Sequence, residues 1–187
     1  MRKGQVEQLM RAAGKLARES EFFIIGSQAV HASVSKPPAE VLLSRECDIY
    51  PKNRPQTGDL LHQKLGPTSR FARREGYYAD VVTPEIATLP AGWESRVKPL
   101  KFGPITAWCL EIHDLVVSKL AAGRLKDLEF AAALLELGFA KRRTLFRRMA
   151  RLDSEHDADR VRSRLKLVSD DIRSARLSSK GRPRKSL

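Results

Sequence analysis

Two carboxylates spaced two residues apart on a predicted strand restrict the fold of this chain more than any other feature. The segment VLLSRECDIY, residues 41–50, is a predicted β-strand, and its later part places Glu46 and Asp48 on one side and Cys47 and Ile49 on the other. Because paired carboxylates beside an apolar strand are unfavourable without a positive charge, we expect a cation between them. Mg²⁺ is the natural candidate, since it is often shared between one or two carboxylates and substrate phosphates.

The preceding predicted strand ends at a glycine–serine pair. Residues 21–25, EFFII, form a short apolar run, Gly26 and Ser27 interrupt it, and helical character resumes over residues 28–34. Glycine permits close backbone approach and a helix N-terminus offers free N–H groups, so we expect this pair to contact a phosphate. Asp80, on a third predicted strand over residues 77–82, is a further carboxylate that either completes the metal site or acts as a base.

Each of these patterns alone also suits an ordinary structural role. A glycine–serine pair is common after a strand, Glu46 and Asp48 can face solvent at a sheet edge, and Asp80 can cap a turn. Their order on three successive predicted strands is what favours a functional site.

The rest of the chain divides into a half that mixes strands and helices and a half that is helical. Helical spacing and strand-like runs alternate up to about residue 106, and helices follow. We therefore predict an α/β (α+β) core over residues 1–106, a helical part over 107–177 and a disordered basic tail over 178–187. The other predicted helices are residues 5–19, 59–65, 114–122, 126–137, 141–151 and 157–177, and the other predicted strand is residues 96–102.

Composition excludes several classes of protein. The chain has 187 residues, 42% of them hydrophobic, which is enough for a buried core, and no apolar run approaches the roughly 18 residues of a membrane span. The basic amphipathic N-terminus lacks the features of a signal peptide. Cys47 and Cys109 each lie in an apolar stretch, which favours reduced, packed thiols. We therefore expect a cytoplasmic protein.

Charge is distributed unevenly along the chain. The net charge is +13, of which residues 141–187 contribute +10 (16 basic, 6 acidic) and residues 1–140 contribute +3 (19 basic, 16 acidic). A basic C-terminal part indicates a polyanionic partner such as nucleic acid, or simply a solvated helix and tail. The segment 180–185, KGRPRK, is similar to the core of an AT-hook, in which arginines lie in a narrow minor groove; RNA phosphates are an equally compatible target.

These motifs resemble a known superfamily. The hydrophobic strand ending in Gly26-Ser27, followed by the alternating acidic run Glu46-Cys47-Asp48-Ile49, resembles the DNA polymerase β-type nucleotidyltransferases. Two later segments, YYADVVTPEIATLPAGW and HDLVVSKLAAGRLKDLEFAAALL, are similar to bacterial nucleotidyltransferase-like proteins related to the AbiEii toxin, and most similar to the DUF6036 group. The resemblance covers roughly residues 20–140.

The resemblance implies a minimal mixed sheet with flanking helices, a helical C-terminal part and Mg²⁺-dependent transfer of a nucleotidyl group from a nucleoside triphosphate. It also implies a role for each matching residue. Gly26 and Ser27 would contact the triphosphate, and Glu46 and Asp48 would bind the metal with Asp80 as the third acidic residue. Lys119 would reach the phosphates, Arg124 would also bind the nucleotide, and Asp127 would line the cleft as a further catalytic residue. An antitoxin partner is a further implication.

Two departures from the superfamily pattern stand out. The separation of Ser27 from Glu46 exceeds the usual ten or so residues, and the first metal position is Glu rather than Asp. In the expected mechanism, a hydroxyl deprotonated near Asp80 attacks the α-phosphate while Lys119 stabilises the leaving pyrophosphate. A catalytically silent protein that binds nucleic acid or senses a nucleotide on the same fold is the alternative.

Overall fold

A mixed β-sheet with flanking helices forms the first part of the chain, and helices alone form the rest. The structure is a computed structural model that describes residues 1–180, with side chains up to residue 174. The strands are β1 (Glu21–Ile24), β2 (Glu46–Pro51), β3 (Tyr78–Val81), β4 (Lys98–Phe102) and β5 (Ile105–Cys109). The helices are α1 (Lys3–Ala17), α2 (Gly58–Leu65), α3 (Arg70–Glu75), α4 (Ile112–Ala122), α5 (Leu125–Glu136), α6 (Arg142–Met149) and α7 (Glu155–Lys180).

The sheet has the order β3-β2-β1-β5-β4. β1 runs antiparallel to β2 and parallel to β5, while β2 and β3 are parallel and β4 and β5 form an antiparallel hairpin. β1 lies between β2 and β5, although β5 comes much later in the sequence. The consecutive strands β3 and β4 lie at opposite edges of the sheet and do not pair. The predicted fold class, a mixed sheet with flanking helices and a helical C-terminal part, is confirmed.

One face of the sheet is buried and the other carries the polar residues. Burial alternates along β2, where Cys47 and Ile49 are fully buried and Glu46 and Asp48 are partly exposed. α1 packs against β4 and β5 and covers the buried face with apolar side chains such as Leu9 and Met10, both fully buried. The carboxylates of β2 therefore lie on the face that remains accessible.

In the helical part, α7 closes the end of α4. The Arg164 guanidinium donates to the carbonyls of Leu120 and Ala121 at 2.8 and 2.6 Å. These carbonyls belong to the last turn of α4, which has no further helical N–H donors. Gly123 follows in the left-handed region at φ +69°, and the guanidinium occupies the space that a Cβ there would need. This contact fixes α7 beside the C-terminus of α4.

A buried acidic residue joins α4, α6 and the turn at Trp93–Arg96. The Asp114 side chain is fully buried, and its carboxylate lies 2.7 Å from Nε of Arg96 and 2.9 Å from Nε of Arg148. Arg96 also donates to the carbonyls of Pro90, Ala91 and Gly92. The two cations thus neutralise Asp114 and hold the 90–96 loop against the helices.

Two predicted elements differ in the structure. The predicted strand over residues 41–50 begins only at Glu46, because Ala39–Leu42 form a 3₁₀ turn after Pro38 and Leu43 is 77% exposed. Of the apolar run, only Val41 is fully buried, so the run anchors a turn rather than alternating along a strand. The helical segment predicted over residues 28–34 is a buried 3₁₀ helix, Ser27–Ala32.

The sequence did not reveal β5 and α3. β5 crosses the predicted domain boundary at residue 106 and forms its hairpin with β4 through Gly103 (φ +64°) and Pro104. α3 is short, with Ser69 accepting the Ala72 N–H at its start and Gly76 (φ +78°) at its end. α7 extends through residue 180, and the rest of the predicted tail, including most of the segment similar to an AT-hook, lies outside the described residues.

Within residues 1–180, no helix is both long enough and apolar enough to cross a membrane. Both Cys47 and Cys109 are free, buried thiols, as predicted. Burial raises the pKa of the Cys109 thiol well above its usual range.

Candidate active site

Strand pairing brings two aspartates side by side. β2 and β3 are parallel, and Asp48 lies directly opposite Asp80 in their register. Paired residues on adjacent strands point to the same face of a sheet and are separated by about 5 Å. Glu46 lies one step earlier on that face, opposite Tyr78. The three carboxylates predicted from the sequence therefore share one face, and Asp48 with Asp80 is the directly opposed pair.

Gly26 lies directly against the Asp48 carboxylate. The N–H of Ile25 donates to the Asp48 carbonyl at 3.1 Å, which continues the pairing of β1 with β2 up to the glycine. A Cβ at residue 26 would overlap the Asp48 carboxyl group. The backbone of Gly26 is extended (φ −108°, ψ −161°), a conformation open to any residue. Space for the carboxylate, and not backbone freedom, is therefore what requires glycine here.

Basic side chains from the helical part face the two aspartates across a cavity of about 480 Å³. Asp48, Asp80 and Gly26 line it on the sheet side, and Lys119 of α4 and Arg124 before α5 line it on the other side. The cavity therefore has an acidic wall and a basic wall, which suits a substrate whose anionic groups are bridged to carboxylates by a cation.

The pKa of Asp48 is raised to about 6. Burial is the largest cause, and the charges of Glu46 and Asp80 also raise the pKa, whereas Lys119 lowers it. Within residues 1–174, neither Asp48 nor Asp80 forms an ion pair. The acidic wall thus has a deficit of positive charge close to the carboxylates.

Lys119 is held in place by Asp127. The Lys119 ammonium lies 3.1 Å from the Asp127 carboxylate, and both side chains are almost completely buried. Arg124 binds the other oxygen of Asp127 at 2.6 Å. Burial raises the pKa of Asp127, but the hydrogen bond from Arg124 and the charge of Lys119 outweigh it, so the pKa lies below its usual value. Asp127 therefore orients two cations of the basic wall.

Ser27 and Glu46 line a second, neighbouring cavity of about 610 Å³. Its walls include Leu43, Tyr78 and Phe130 together with Asp127. Glu46 is held at the edge by Lys126, 3.0 Å away, and by the Tyr78 hydroxyl at 3.3 Å. Burial raises the pKa of Glu46, but the hydrogen bond from Lys126 and its charge lower the pKa overall.

The donor set around Asp48 fits a divalent cation held partly by a substrate. No group of three or more His, Cys, Asp or Glu side chains is arranged as a metal site in the part of the chain that the structure describes. Mg²⁺, however, commonly binds one or two carboxylates and completes its coordination with waters and phosphates. Two adjacent aspartates without an ion pair among the described side chains are the kind of donors that such a partly substrate-held cation uses.

The structure thus gathers the predicted residues into two adjoining cavities. Gly26, Asp48, Asp80, Lys119 and Arg124 line the first, and Ser27, Glu46 and Asp127 line the second. The N–H groups predicted to hold a phosphate belong to a short 3₁₀ helix, and the Ala29 N–H already donates to the Gly26 carbonyl at 3.0 Å. Lys119 is buried at the site and does not face water.

Sequence reasoning missed Arg160 of α7, which also lines the first cavity. One end of its guanidinium binds Asp157 at 2.7 Å, whereas Nε is buried and has no hydrogen-bond partner. A buried donor without a partner is unfavourable unless a ligand satisfies it. Arg160 lies in a charged helix with many similar residues, so no local pattern distinguishes it.

One comparison with known proteins gives a match to a protein family. A family model described as "Nucleotidyltransferase of unknown function (DUF6036)" matches residues 5–136. The match spans the sheet and α1 to α5, and hence every residue of the site except Arg160. No curated protein and no solved structure gives a significant match.

Proposed function

The chain belongs to the DUF6036 family of nucleotidyltransferases, and on that premise we propose that it transfers a nucleotidyl group from a nucleoside triphosphate to a hydroxyl acceptor, with Mg²⁺ as cofactor. The observation that carries this proposal is the pairing of Asp48 with Asp80 against Gly26, opposite the basic wall of Lys119 and Arg124. Carboxylates and cations facing each other across one cavity suit a substrate that is itself anionic and metal-bound.

In this proposal the triphosphate lies in the first cavity. Lys119, Arg124 and Arg160 bind its oxygens, and Asp127 keeps Lys119 and Arg124 oriented. The nucleoside lies in the second cavity, where Tyr78 and Leu43 provide apolar surface. Asp48 and Asp80 would hold Mg²⁺. Glu46 would become a third ligand once its ion pair with Lys126 is broken. The metal would neutralise charge on the phosphate oxygens.

The acceptor oxygen attacks the α-phosphorus while the bond to the bridging oxygen of the β-phosphate breaks. Asp80 takes the hydroxyl proton, and the negative charge that develops on the departing pyrophosphate is stabilised by Lys119. Most of the rate enhancement in this scheme comes from positioning and fixed charge. We extend the proposal to RNA or protein as acceptor and to a toxin-like role with an antitoxin partner, for which the support is the family resemblance and, for RNA, the basic C-terminal part.

The test is incubation with each α-labelled nucleoside triphosphate, Mg²⁺ and either total RNA or total protein. Asp48→Asn removes a carboxylate of the acidic wall while keeping its shape, and we expect label transfer to fall by at least about 100-fold. Asp171→Asn is the matched control, because Asp171 is exposed on α7 and outside both cavities. Equal transfer by the two variants would refute the assignment of Asp48.

A second candidate, nucleotide sensing without transfer, is favoured by one observation. Glu46, a predicted metal ligand, is engaged by Lys126 and Tyr78 rather than standing beside Asp48. If the wild type binds a nucleoside triphosphate, with Asp48→Asn weakening binding, yet transfers no label to any acceptor, sensing replaces transfer as the function.

A further inference from the structure

The exposed side of α6 concentrates unpaired positive charge. Residues 141–151, KRRTLFRRMAR, contain six basic and no acidic residues. Arg148 points inward and is neutralised by Asp114 and Glu111. The others are exposed and, within the part of the chain whose side chains are described, form no ion pair. We call Lys141, Arg142, Arg143, Phe146, Arg147 and Arg151 the α6 surface.

This arrangement is unfavourable for the isolated protein. Arg143 and Arg147 are four residues apart, as are Arg147 and Arg151, and like charges at that spacing on or beside a helix repel each other. Some exposed arginines on other described helices have an acidic partner one turn away, as Arg162 has Asp159 and Arg11 has Glu7. The absence of such partners on α6 indicates that an external polyanion provides the compensating charge.

An aromatic ring lies among these cations. Phe146 is 48% exposed and lies one helical turn from Arg142 and Arg143. The apolar residues Leu145 and Met149 are instead buried in the core, at 0% and 2% exposure. α6 therefore has no free apolar face with which to enter a bilayer, whereas a single exposed ring between guanidinium groups suits the stacking of one unpaired base.

We propose that the α6 surface binds single-stranded RNA, with the arginines contacting phosphates and Phe146 stacking on a base. α6 lies beyond residue 136, where the family match ends, so family membership does not account for it. The proposal does not depend on nucleotidyl transfer, because no residue of α6 lines either cavity.

The experiment measures fluorescence anisotropy of a labelled, unstructured 20-nucleotide RNA over a series of salt concentrations. In the full chain, Arg142→Gln, Arg143→Gln and Arg147→Gln together remove three phosphate contacts. Each contact to a single strand contributes about 0.7 to the slope of log affinity against log salt, so we expect the slope to fall by about 2 and the affinity at 0.1 M salt by about 100-fold. Circular dichroism checks that α6 remains folded.

Two control variants remove the same charge elsewhere. One changes Arg162, Lys166 and Arg173 of α7 to Gln, and the other changes Arg182, Arg184 and Lys185 of the C-terminal segment to Gln. Under the proposal, neither reduces binding as strongly as the α6 variant. Equal losses in all three would mean that only net charge matters, and a loss confined to the C-terminal variant would place the binding there; either result overturns the proposal.

Phe146→Leu separates stacking from charge, because it keeps an apolar side chain and removes the aromatic ring. We expect about tenfold weaker binding of the RNA with an unchanged salt slope, and no effect on binding of a duplex DNA of the same length. Duplex DNA binding as tight as RNA binding in the wild type, or preferential binding of anionic vesicles or an acidic polypeptide, would overturn the assignment to single-stranded RNA.

Discussion

Asp114 is fully buried and Asp48 is partly buried, and the charges around them differ. Asp114 lies between α4 and α6 with Arg96 and Arg148 in direct contact; burial raises the pKa of Asp114 as well, but the two guanidinium groups oppose that rise. Asp48 lies on the sheet with Asp80 opposite it and no cation in contact among the described side chains, and its pKa is raised to about 6. The first carboxylate is neutralised within the fold, whereas the second needs something from outside.

This difference distinguishes a carboxylate that holds the fold together from a carboxylate that is a candidate ligand site. A buried carboxylate that is paired with cations is weak evidence for a ligand site, since its charge is already compensated. A carboxylate that the fold leaves uncompensated beside a cavity destabilises the folded state unless a proton or a cation binds. The two aspartates should therefore respond to the same substitution with changes of opposite sign in stability.

The largest effect is expected at Asp114. Asp114→Asn keeps the size of the side chain but leaves Arg96 and Arg148 without their central anion. Breaking such a buried pair costs about 3 kcal/mol or more, so the free energy of unfolding at pH 7 should fall by that amount in urea denaturation. Asp159→Asn, which breaks an exposed pair with Arg162, should change it by less than about 1 kcal/mol. If Asp114→Asn lowers the free energy of unfolding no more than Asp159→Asn does, Asp114 does not differ from Asp48 in the way described.

Local patterns in the sequence were sufficient to place the three acidic residues on strands. Alternation along β2 and the apolar run before Gly26 depend on neighbouring residues only, so the placement of Glu46, Asp48 and Asp80 on the sheet followed from the sequence. The pairing of β5 with β1 joins distant parts of the chain, and that is why β5 was missed.

The basic wall could not be predicted in the same way. The buried Lys119 ammonium forms an ion pair with the Asp127 carboxylate. Arg160 reaches the cavity because α7 folds back along α4 and α5. Both facts depend on how helices pack, which residue type and spacing do not determine. The family resemblance pointed to Lys119 but not to Arg160.

The second effect is a gain of stability at Asp48. Because the folded pKa of about 6 lies above the usual value of 3.8, the wild type loses stability as pH rises from about 4 to 6. Asp48→Asn does not titrate, so its advantage should be absent below pH 4, grow between pH 4 and 6, and reach about 2 to 3 kcal/mol at pH 7. Urea denaturation across this range measures it.

Asp171→Asn is the control for Asp48, since Asp171 is exposed on α7. Its stability should follow the wild type at every pH. If Asp48→Asn instead lowers stability at pH 7, as expected for Asp114→Asn, then Asp48 is a structural residue and the comparison fails.

The smallest effect concerns the glycine that makes room for Asp48. In Gly26→Ala the new methyl group overlaps the Asp48 carboxylate and lies 2.9 Å from the Asp48 Cβ, so the Asp48 side chain must rotate and the strands must shift slightly, and we expect a loss of about 1 to 2 kcal/mol. Gly4→Ala is the matched control, because no atom lies within 4 Å of its Cβ position in α1, and it should leave stability equal or slightly higher. A double-mutant cycle with Asp48→Ala should recover part of the loss at Gly26, since the overlapping carboxylate is then absent while the Asp48 Cβ, 2.9 Å from the position of the new methyl group, remains. Additive effects of the two substitutions would mean that the close approach of β1 to the acidic wall has no part in holding Asp48.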